Sequence, residues 1–591
     1  MAPTATAPQT LTAQIDGLDV AIQAGETILD AAKRAHVRIP TLCKHPDVHA
    51  TAACGICVVK VGNSNKMLRA CCTPIEAGMS IVTQDPEIVE IRKSVVELIL
   101  SNHPNECFTC GRNTNCELQS LAATFGVRET PFGVKAPDHS RDDDSTRSIV
   151  LEPNKCISCG RCVDICQNVQ NVWALSFLNR GINIQMAPAG DILLADSPCV
   201  RCGQCSAHCP TGAIHEYDQT DEVWNMLQNK DLHVVAQIAP AVRVALGECF
   251  GLEPGVNLTK QIYAALRRLG FHTVFDTNFS ADLTIMEEAA EFVERFANGK
   301  GVLPLITTCC PSWVDFMEKY HSDMIAHFSS CKSPQMMLGA LAKTYFAEKR
   351  QLDPANMRVV SVMPCTAKKY EVNRSEEMRS SGFQDVDVSI TTRELARMIK
   401  QAGIDLLNLD PEESDHLMGN YSGAGTIFAN TGGVMEAALR TAYFNVTGQN
   451  LSNPDILATR GLEGVKEGAV DVNGTEVRVA VAHGLGNVEA VINRVREAKE
   501  KGEPLPWHFI EVMACPGGCI GGGGQPYGVT DGTREKRMKG IYDEDKSLHV
   551  RCSHENYYIN QVYDDFLGKP LSEKSHHLLH THYVPRPMYL K

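Results

Sequence analysis

The sequence lacks the features expected of membrane, secreted or nucleic-acid-binding proteins. It has no apolar run of about 18 residues or more, so no spanning helix is expected. Its start, MAPTATAPQT, has neither a basic region nor an apolar core, so it predicts a short disordered tail at 1–9 and no secretory signal. The formal net charge of −14 argues against nucleic acid as a partner, because such binding needs basic patches. We therefore expect a cytoplasmic protein without a membrane span.

Nucleotide-binding motifs are also missing. No dinucleotide fingerprint and no flavin motif is visible along the chain. The glycine run Gly521–Gly524 lacks the Lys-Ser/Thr pair that a phosphate-binding P-loop requires. No flavin or NAD(P) site is expected on this chain, so any NAD(P)H chemistry must lie on another subunit.

Cysteine, in contrast, is plentiful. The chain has 591 residues, enough for several domains, and 24 of them are cysteines. Disulfides are rare in the cytosol, where closely spaced cysteines more often bind metal. Most of these cysteines occur in clusters with the spacing of metal ligands, so the sequence predicts metal centres.

Three cysteine-bearing segments follow apolar, strand-like runs. They are TTCCPSW, which contains Cys309 and Cys310, MPCTAKK, which contains Cys365, and MACPGGCIGGGG, which contains Cys515 and Cys519. In open α/β sheets, ligands bind outside the carboxyl ends of strands, and glycine permits close backbone approach. The three segments therefore predict one thiolate-lined cofactor cavity.

These segments resemble the three signature motifs of the FeFe-hydrogenases. The second and third match the family pattern, whereas the first has Thr308 and Ser312 where TSCCPGW is usual. The resemblance implies an H-cluster, in which a cubane 4Fe–4S cluster is joined to a diiron centre carrying CO, cyanide and a dithiolate. It extends from about residue 10 to Tyr583.

The same resemblance implies roles for individual residues. Cys310, Cys365, Cys515 and Cys519 would hold the cubane, and Cys519 would bridge to the diiron centre. Lys368 would donate to a cyanide ligand, and Pro240 would present a neighbouring backbone group to the other cyanide. Met363 and Met513 would pack around the carbonyl ligands; without the motif, plain core filling is the alternative for both.

Protons need their own route to a buried metal centre. By resemblance, Cys309 would relay protons, and Glu288, Glu291 and Ser329 would lead from it to the surface. Glu288 and Glu291 stand three residues apart, so they share one face of a predicted helix. A partly buried carboxyl has a raised pKa that suits this relay. A solvated helical face is the alternative.

The N-terminal part predicts a 2Fe–2S domain. Alternating residues around Asp16-Gly17 predict a hairpin, and a helix is expected from Thr27 to about His36. Cys43, Cys54, Cys57 and Cys71 follow with a spacing similar to the β-grasp domain of large FeFe-hydrogenases and complex I relatives. Cys72 is interpreted as a bystander. A zinc site is the alternative for this quartet.

Three further clusters are predicted before the catalytic region begins. His103, Cys107, Cys110 and Cys116 resemble the family's His-ligated 4Fe–4S domain, with structural zinc as the alternative. The spacing C-x2-C-x2-C-x3-C then occurs twice, which is the two-cluster ferredoxin pattern, with two zinc knuckles as the alternative. In this pattern the fourth cysteine of each run binds the cluster of the other run. One set would therefore be Cys156, Cys159, Cys162 and Cys209, and the other would be Cys199, Cys202, Cys205 and Cys166.

Several features remain outside this scheme. Cys249, Cys331 and Cys552 belong to no spacing pattern and are interpreted as buried thiols. The histidines 576, 577, 580 and 582 are interpreted as a surface helix end, with metal binding as the alternative. The stretch PDHSRDDDST is interpreted as a solvated linker rather than a docking site.

The predicted fold is multidomain α+β, in which a two-lobed α/β catalytic domain follows the cluster domains. The boundaries are 10–86 (2Fe–2S), 87–136 (His-ligated 4Fe–4S), 137–146 (linker), 147–219 (two 4Fe–4S), 220–583 (H-cluster) and 584–591 (tail). The predicted activity is reversible interconversion of dihydrogen with protons and electrons. Electrons would pass through one 2Fe–2S and three accessory 4Fe–4S clusters to NAD(P)-linked flavin and iron–sulfur subunits, to ferredoxin, or to both. Maturation proteins are further expected partners.

Three alternatives accompany this prediction. One is a stand-alone ferredoxin-linked hydrogenase, which would lack a flavin subunit. The others are an iron–sulfur assembly scaffold and a pure electron carrier, neither of which would turn over hydrogen. The intact cysteine motifs favour an enzyme, and the large C-terminal region would have no purpose in a carrier.

Overall fold

The computed structural model describes residues 11–62 and 66–590. The predicted disordered tail at 1–9 lies outside the described residues, as does Lys591. None of the helices in the described ranges combines the length and apolar composition that a membrane span requires.

The N-terminal domain is a five-stranded mixed sheet with a short helix. The predicted hairpin is confirmed: its two strands pair antiparallel from Thr12↔Ala21 to Ile15↔Leu18, and Asp16 and Gly17 take the positive φ values of a tight turn. The predicted helix is confirmed at Ile28–Arg34, with Thr27 as its N-cap in a capping box. The strands are Thr12–Ile15, Leu18–Ala21, Val58–Val61, Lys66–Arg69 and Ser80–Val82, in the sheet order second, first, fifth, third, fourth.

Two smaller cluster-binding units follow. The helices Pro86–Ser101 and Glu117–Thr124 flank the segment with His103 and the cysteines that follow it. The ferredoxin-like unit has one antiparallel strand pair that flanks its two cysteine runs, a second pair between the runs, and one short helix within each run. These elements are the pair Ile149–Leu151 and Ile214–Glu216, the pair Ser176–Leu178 and Gln185–Ala187, and the helices Arg161–Asp164 and Gln204–His208.

The stretch predicted as a solvated linker, 137–146, is only partly solvated. Asp143 is buried, pairs by backbone with Leu151, and accepts a 2.6 Å hydrogen bond from the backbone N–H of Leu194. Thr146 is buried as well. The prediction was wrong for these two residues, because composition does not reveal that a carboxylate caps a neighbouring backbone.

Two four-stranded sheets form the catalytic region, and the predicted fold class is confirmed. The first sheet is parallel and has the order Thr273–Asp276, His233–Ile238, Met357–Met363, Val388–Thr391. The second has the order Leu305–Ile306, Phe509–Met513, Thr475–His483, Val465–Val472, and only its last pair is antiparallel. Apolar side chains on these strands are almost wholly buried between the sheets and their covering helices.

Helices cover both sheets, and the last part of the chain packs back on them. The helices are Thr220–Gln228, Thr259–Leu269, Thr277–Ala297, Pro311–Tyr320, Pro334–Leu341, Ala347–Arg350, Lys368–Glu371, Thr392–Gln401, Gly423–Ile427, Gly433–Thr447, Leu485–Lys501, Asp531–Ser547, Tyr557–Val562 and Glu573–Leu579. Beyond them, in the segment predicted as a tail, Arg586 forms a 2.6 Å ion pair with buried Asp315.

Candidate functional site

The predicted cavity lies where strands of the two catalytic sheets end. Pro240 follows His233–Ile238, and Cys365 follows Met357–Met363, its parallel neighbour in the first sheet. Cys309 and Cys515 follow the parallel strands Leu305–Ile306 and Phe509–Met513 of the second sheet. The empty space, including its opening to solvent, is about 730 Å³. Its lining includes the predicted residues Pro240, Cys309, Cys310, Met363, Cys365, Lys368, Met513, Cys515 and Cys519.

The four predicted cubane ligands meet at this cavity as free thiols. Burial, followed by the effect of Cys310, raises the pKa of Cys365 to about 12. Burial and the three neighbouring thiols likewise raise the pKa of Cys515 well above its usual value. Four thiols with no disulfide between them, concentrated around one buried space, fit an iron–sulfur cluster, whose iron replaces their protons.

Lys368 is held at the cavity wall by two hydrogen bonds. Its ammonium donates to the carbonyl oxygen of Cys309 over 3.1 Å and to Glu371 over 2.8 Å. Burial would lower the pKa of Lys368, but the carboxylate of Glu371 outweighs burial and raises it. The side chain is therefore a fixed cation at an otherwise apolar wall, which suits an anionic ligand.

The predicted proton-relay residues lie together on one side of the cavity. The Ser329 hydroxyl donates to Glu291 over 3.0 Å, and Arg295 donates to the same carboxylate over 2.6 Å. Glu288 is buried, one of its oxygens has no hydrogen-bond partner, and burial raises its pKa to about 8. Burial and Glu288 together raise the pKa of Cys309. The solvated helical face that the sequence also allowed is wrong for this glutamate pair.

Thr308 and Ser312, the two residues at which the first motif departs from the family pattern, have different surroundings. Thr308 is buried, and its hydroxyl lies within hydrogen-bonding distance of the carbonyl oxygens of Ser329 and Cys331, at 3.1 and 3.0 Å. It therefore ties the segment of Cys309 to that of Ser329. Ser312 is also buried, but its hydroxyl has no partner within the described residues.

The ferredoxin-like cysteines are arranged in two sets. Burial and the thiols of Cys159, Cys156 and Cys209 raise the pKa of Cys162. Burial and the thiols of Cys199 and Cys166 do the same for Cys205. Each fourth cysteine therefore lies beside the other run, as the crossed ligand pattern requires.

The N-terminal cysteines also converge. Cys43 lies within hydrogen-bonding distance of Cys54 and Cys71, and Cys57 lies within that distance of Cys71. Cys72 is exposed, and its sulfur contacts the backbone oxygen of Arg69 instead.

A separate pocket, whose empty space including its opening to solvent is about 310 Å³, is lined by His103, Cys107, Cys110 and Cys116. The Nδ1 atom of His103 is buried without a partner, and burial lowers the His103 pKa to about 4. The imidazole is therefore neutral with a free nitrogen, as a metal ligand must be. A Cβ atom at Gly212 would collide with the sulfur of Cys110, so glycine is needed there.

The remaining predicted features divide into two groups. Cys331 and Cys552 are buried free thiols, as predicted, whereas Cys249 is only partly buried. Of the tail histidines, His580 is buried, and its ring lies 2.8 Å from the Ser330 hydroxyl and 3.2 Å from Glu287. The prediction of a surface helix end was therefore wrong for His580, since this residue follows the helix and pairs with the core.

Sequence reasoning assigned no role to two residues of the site, Arg295 and Glu371, although Glu371 follows the second motif and belongs to its match with the family pattern. Arg295 was available as a signal because it stands four residues after Glu291 on the same helix, the spacing of a helical ion pair. Glu371 stands three residues after Lys368 and pairs with it by the same rule. Both signals are common on ordinary surface helices, so the sequence did not distinguish them.

Comparison with known proteins places these features in a family. The profile described as iron only hydrogenase large subunit, C-terminal domain, matches residues 232–523. The NADP-reducing hydrogenase subunit HndD of Solidesulfovibrio fructosivorans is 47% identical over 98% of this chain and 99% of its own length. The chain belongs to the iron-only hydrogenase family. It is an iron hydrogenase, which sets aside the carrier and scaffold alternatives.

Other comparisons cover the remaining parts of this hydrogenase. The iron hydrogenase small subunit profile matches 531–586, a 2Fe-2S iron-sulfur cluster binding domain 8–86, the NADH-ubiquinone oxidoreductase-G iron-sulfur binding region 92–131, and a 4Fe-4S dicluster domain 155–213. Iron hydrogenase 1 of Clostridium pasteurianum is 39% identical over 96% of this chain and 99% of its own. A solved apo [FeFe]-hydrogenase HydA1 from Chlamydomonas reinhardtii aligns with a TM-score of 0.55 and 41% identity, covering 62% of this chain and 99% of that one.

Proposed function

We propose that this iron hydrogenase interconverts dihydrogen with two protons and two electrons at an H-cluster held by Cys310, Cys365, Cys515 and Cys519. The observation that carries the proposal is the convergence of these four thiols, two buried and two partly buried, with Cys309 and Lys368 on one cavity. When bound, the H-cluster supplies the redox chemistry of hydrogen, through its cubane and its diiron centre with CO, cyanide and dithiolate.

The cavity walls would orient this group and exclude water. Lys368 would offer its ammonium to a cyanide ligand, since Glu371 holds it as a cation. The segment at Pro240 would present backbone to the other cyanide. Met363 and Met513, both almost fully buried, would supply soft, apolar contact around the remaining ligands.

The chain's own proton route would run between Glu291 and Cys309. Glu291 lies at the outer end, where Arg295 and Ser329 bind it. Glu288 would carry the proton inward, because a carboxyl whose pKa is about 8 exchanges protons easily near neutral pH. The thiol of Cys309 would hold the proton nearest the cluster.

Electrons would travel through four accessory clusters. Cys43, Cys54, Cys57 and Cys71 would hold a 2Fe–2S cluster, and His103 with Cys107, Cys110 and Cys116 a 4Fe–4S cluster. The two crossed cysteine sets would hold the other two 4Fe–4S clusters. The neutral imidazole of His103 and the tight approach of Gly212 to Cys110 support metal binding by this set. The match of residues 92–131 to an iron-sulfur binding region supports iron over zinc.

The electron partner would be a set of NAD(P)-linked flavin and iron–sulfur subunits in a hetero-oligomer, with ferredoxin as an additional or alternative acceptor. The name of the HndD relative, an NADP-reducing hydrogenase subunit that aligns over nearly its whole length, supports this choice. We place the protein in the cytoplasm, where clustered thiols serve as metal ligands and disulfides are rare.

Infrared spectroscopy of anaerobically purified protein, co-produced with the maturation proteins, tests the active site. Bands from CO and cyanide that shift under hydrogen are expected, and Cys519→Ala should abolish them. Fully iron-loaded, matured wild-type protein without such bands would refute the H-cluster assignment. The partner is tested separately by purification from the native host: co-purifying flavin and hydrogen-dependent NADP⁺ reduction are expected, whereas flavin-free enzyme that reduces only ferredoxin would favour the stand-alone form.

A further inference from the structure

The C-terminal segment of the chain pairs with the segment that carries Ser329. Cys331 and His580 face each other in an isolated antiparallel bridge. The backbone N–H of Thr581 donates to the carbonyl oxygen of Ser330 over 2.8 Å. Two segments that lie about 250 residues apart in sequence are therefore joined next to the proposed proton route.

The imidazole of His580 uses both of its nitrogens. Nδ1 lies 2.8 Å from the Ser330 hydroxyl, and Nε2 lies 3.2 Å from the carboxylate of Glu287. The same carboxylate accepts hydrogen bonds from the Tyr563 hydroxyl over 2.6 Å and from the backbone N–H of Leu571 over 2.8 Å. A carboxylate only accepts, so Nε2 of the neutral ring donates to Glu287 and Nδ1 accepts from the Ser330 hydroxyl.

The core fixes the orientation of this ring. His580, Glu287 and Tyr563 are all buried, and Glu287 is 0% exposed. Polar groups at this depth are costly to separate from their partners, so the pair of His580 and Glu287 is held together. On the outer side, the exposed ring of His576 packs on His580 with the ring centroids 4.3 Å apart. The Ser330 hydroxyl is therefore bonded to an immobile acceptor.

Ser330 connects this immobile ring to Glu291. Its backbone N–H donates to the Glu291 carboxylate over 3.1 Å, beside the Ser329 hydroxyl at 3.0 Å. Arg295, in contrast, lies on the same helix as Glu291 and reaches it without the help of this segment. Two donors to the outer carboxylate of the proposed route thus come from the short segment that His580 holds.

We propose that His580 is a positioning residue for proton transfer, which holds Ser329 and Ser330 against Glu291 through the Ser330 hydroxyl. This inference rests on the proposed function. Proton transfer requires donor and acceptor within hydrogen-bonding reach, and a displacement of about 1 Å can lower a rate by about 10²-fold. In this role His580 sets a distance and does not itself carry the proton.

Two variants break the link from opposite sides. His580→Phe keeps a planar ring but removes both hydrogen bonds, including the one to buried Glu287. Ser330→Ala removes only the link between the segment and the ring, so it tests the same contact without disturbing Glu287. Ser330→Thr keeps the hydroxyl and is the conservative variant. His577→Phe is the matched control, because His577 is an exposed histidine of the helix that precedes His580.

The first measurement uses full-length, iron-loaded protein produced without maturation proteins. Difference infrared spectroscopy identifies the carboxylate band of Glu291 by its loss in Glu291→Gln. This band should shift in His580→Phe and in Ser330→Ala, because release of the segment moves hydrogen-bond donors away from the carboxylate. Ser330→Thr and His577→Phe should retain the wild-type band.

The second measurement uses matured enzyme. His580→Phe and Ser330→Ala should lower hydrogen turnover by about 10- to 100-fold. The solvent deuterium isotope effect should increase in both, since proton transfer becomes slower than the other steps. The double variant should be no slower than His580→Phe, because the two substitutions break one link. Ser330→Thr and His577→Phe should match the wild type.

An unshifted Glu291 band and a wild-type isotope effect in iron-loaded Ser330→Ala would overturn the role of His580. A loss of turnover without a larger isotope effect would overturn it as well, since the defect would then lie outside proton transfer. Failure of the proposed function would have a different signature. Matured wild-type protein would lack the CO and cyanide bands, while the Glu291 band of unmatured protein would still report whether His580 positions the segment.

Discussion

Ser329 and Glu291 are joined by a hydrogen bond of 3.0 Å, although they stand 38 residues apart and only Glu291 lies on a helix. Arg295 completes the contact from the next turn of the Glu291 helix. Glu288, one turn earlier, has an oxygen without a partner. The outer end of the proposed proton route is therefore fixed by a charge pair, whereas its inner end is a carboxyl free to gain or lose a proton.

Glu288 should be neutral at pH 7 and should ionise near pH 8, because burial raises its pKa from 4.5 to about 8. Between pH 4.5 and about pH 8, the folded protein holds a proton on Glu288 that the unfolded chain has released. The Glu288 contribution to the free energy of unfolding therefore falls as pH rises through this window, by about 1.4 kcal/mol for each pH unit. Difference infrared spectroscopy should show a protonated carboxyl band that disappears near pH 8.

Glu288→Gln should lack this band and should lose less thermal stability than the wild type between pH 5 and pH 8. Its hydrogen turnover should fall by about 10²–10⁴-fold, the usual contribution of a proton-transfer group. Glu294→Gln, a half-exposed position on the same helix paired with Lys300, serves as the control and should change none of these. A band that titrates near pH 4.5 would show that Glu288 is solvated.

Cys309→Ala should lower hydrogen turnover by about 10²–10⁴-fold while leaving the iron content unchanged, because Cys309 is proposed to relay protons and not to bind the cluster. Cys331→Ala is the matched control, since Cys331 is also a buried free thiol near Glu288 and Glu291. Assays of hydrogen evolution, together with iron determination, make the comparison. If Cys309→Ala lost iron, the residue would have to be reassigned as a ligand.

Much of this site could be predicted because each motif follows its own strand. The runs that end at Ile306, Met363 and Met513 are apolar, and cysteines follow within three residues. The sequence therefore indicated both the strand ends and the candidate ligands. The hairpin at Asp16-Gly17 was equally readable, since its turn needs positive φ at both residues.

What could not be predicted depends on contacts between segments distant in sequence. The burial of His580 comes from its pairing with the strand-like segment at Cys331, about 250 residues earlier. The hydrogen bond from the Gln204 amide to the carbonyl oxygen of Gly521 joins segments 317 residues apart, and no local motif indicates it. Asp143 looked like part of an acidic linker because charge composition carries no information about backbone partners.

His103→Cys should lower the reduction potential of the 4Fe–4S cluster proposed there, because a thiolate ligand brings a negative charge that neutral imidazole lacks. The wild-type imidazole is neutral because burial lowers its pKa to about 4. Redox titration with electron paramagnetic resonance measures the change. His139→Gln, which replaces an exposed histidine near the same cavity, should leave the potential within error. Zinc in place of iron at this site would remove the paramagnetic signal from the wild type itself.

The adjacent pair Cys71 and Cys72 gives an internal test of the N-terminal centre. Cys71 is buried beside Cys43 and Cys57, whereas Cys72 is exposed with its sulfur towards the backbone oxygen of Arg69. Cys71→Ser should lose the 2Fe–2S signal, because hydroxyl oxygen is a poorer ligand than thiolate for this iron. Cys72→Ser should retain both the signal and the iron. Retention in Cys71→Ser with loss in Cys72→Ser would mean that the fourth ligand is Cys72, and that the loop after Arg69 turns the other way when the cluster is bound.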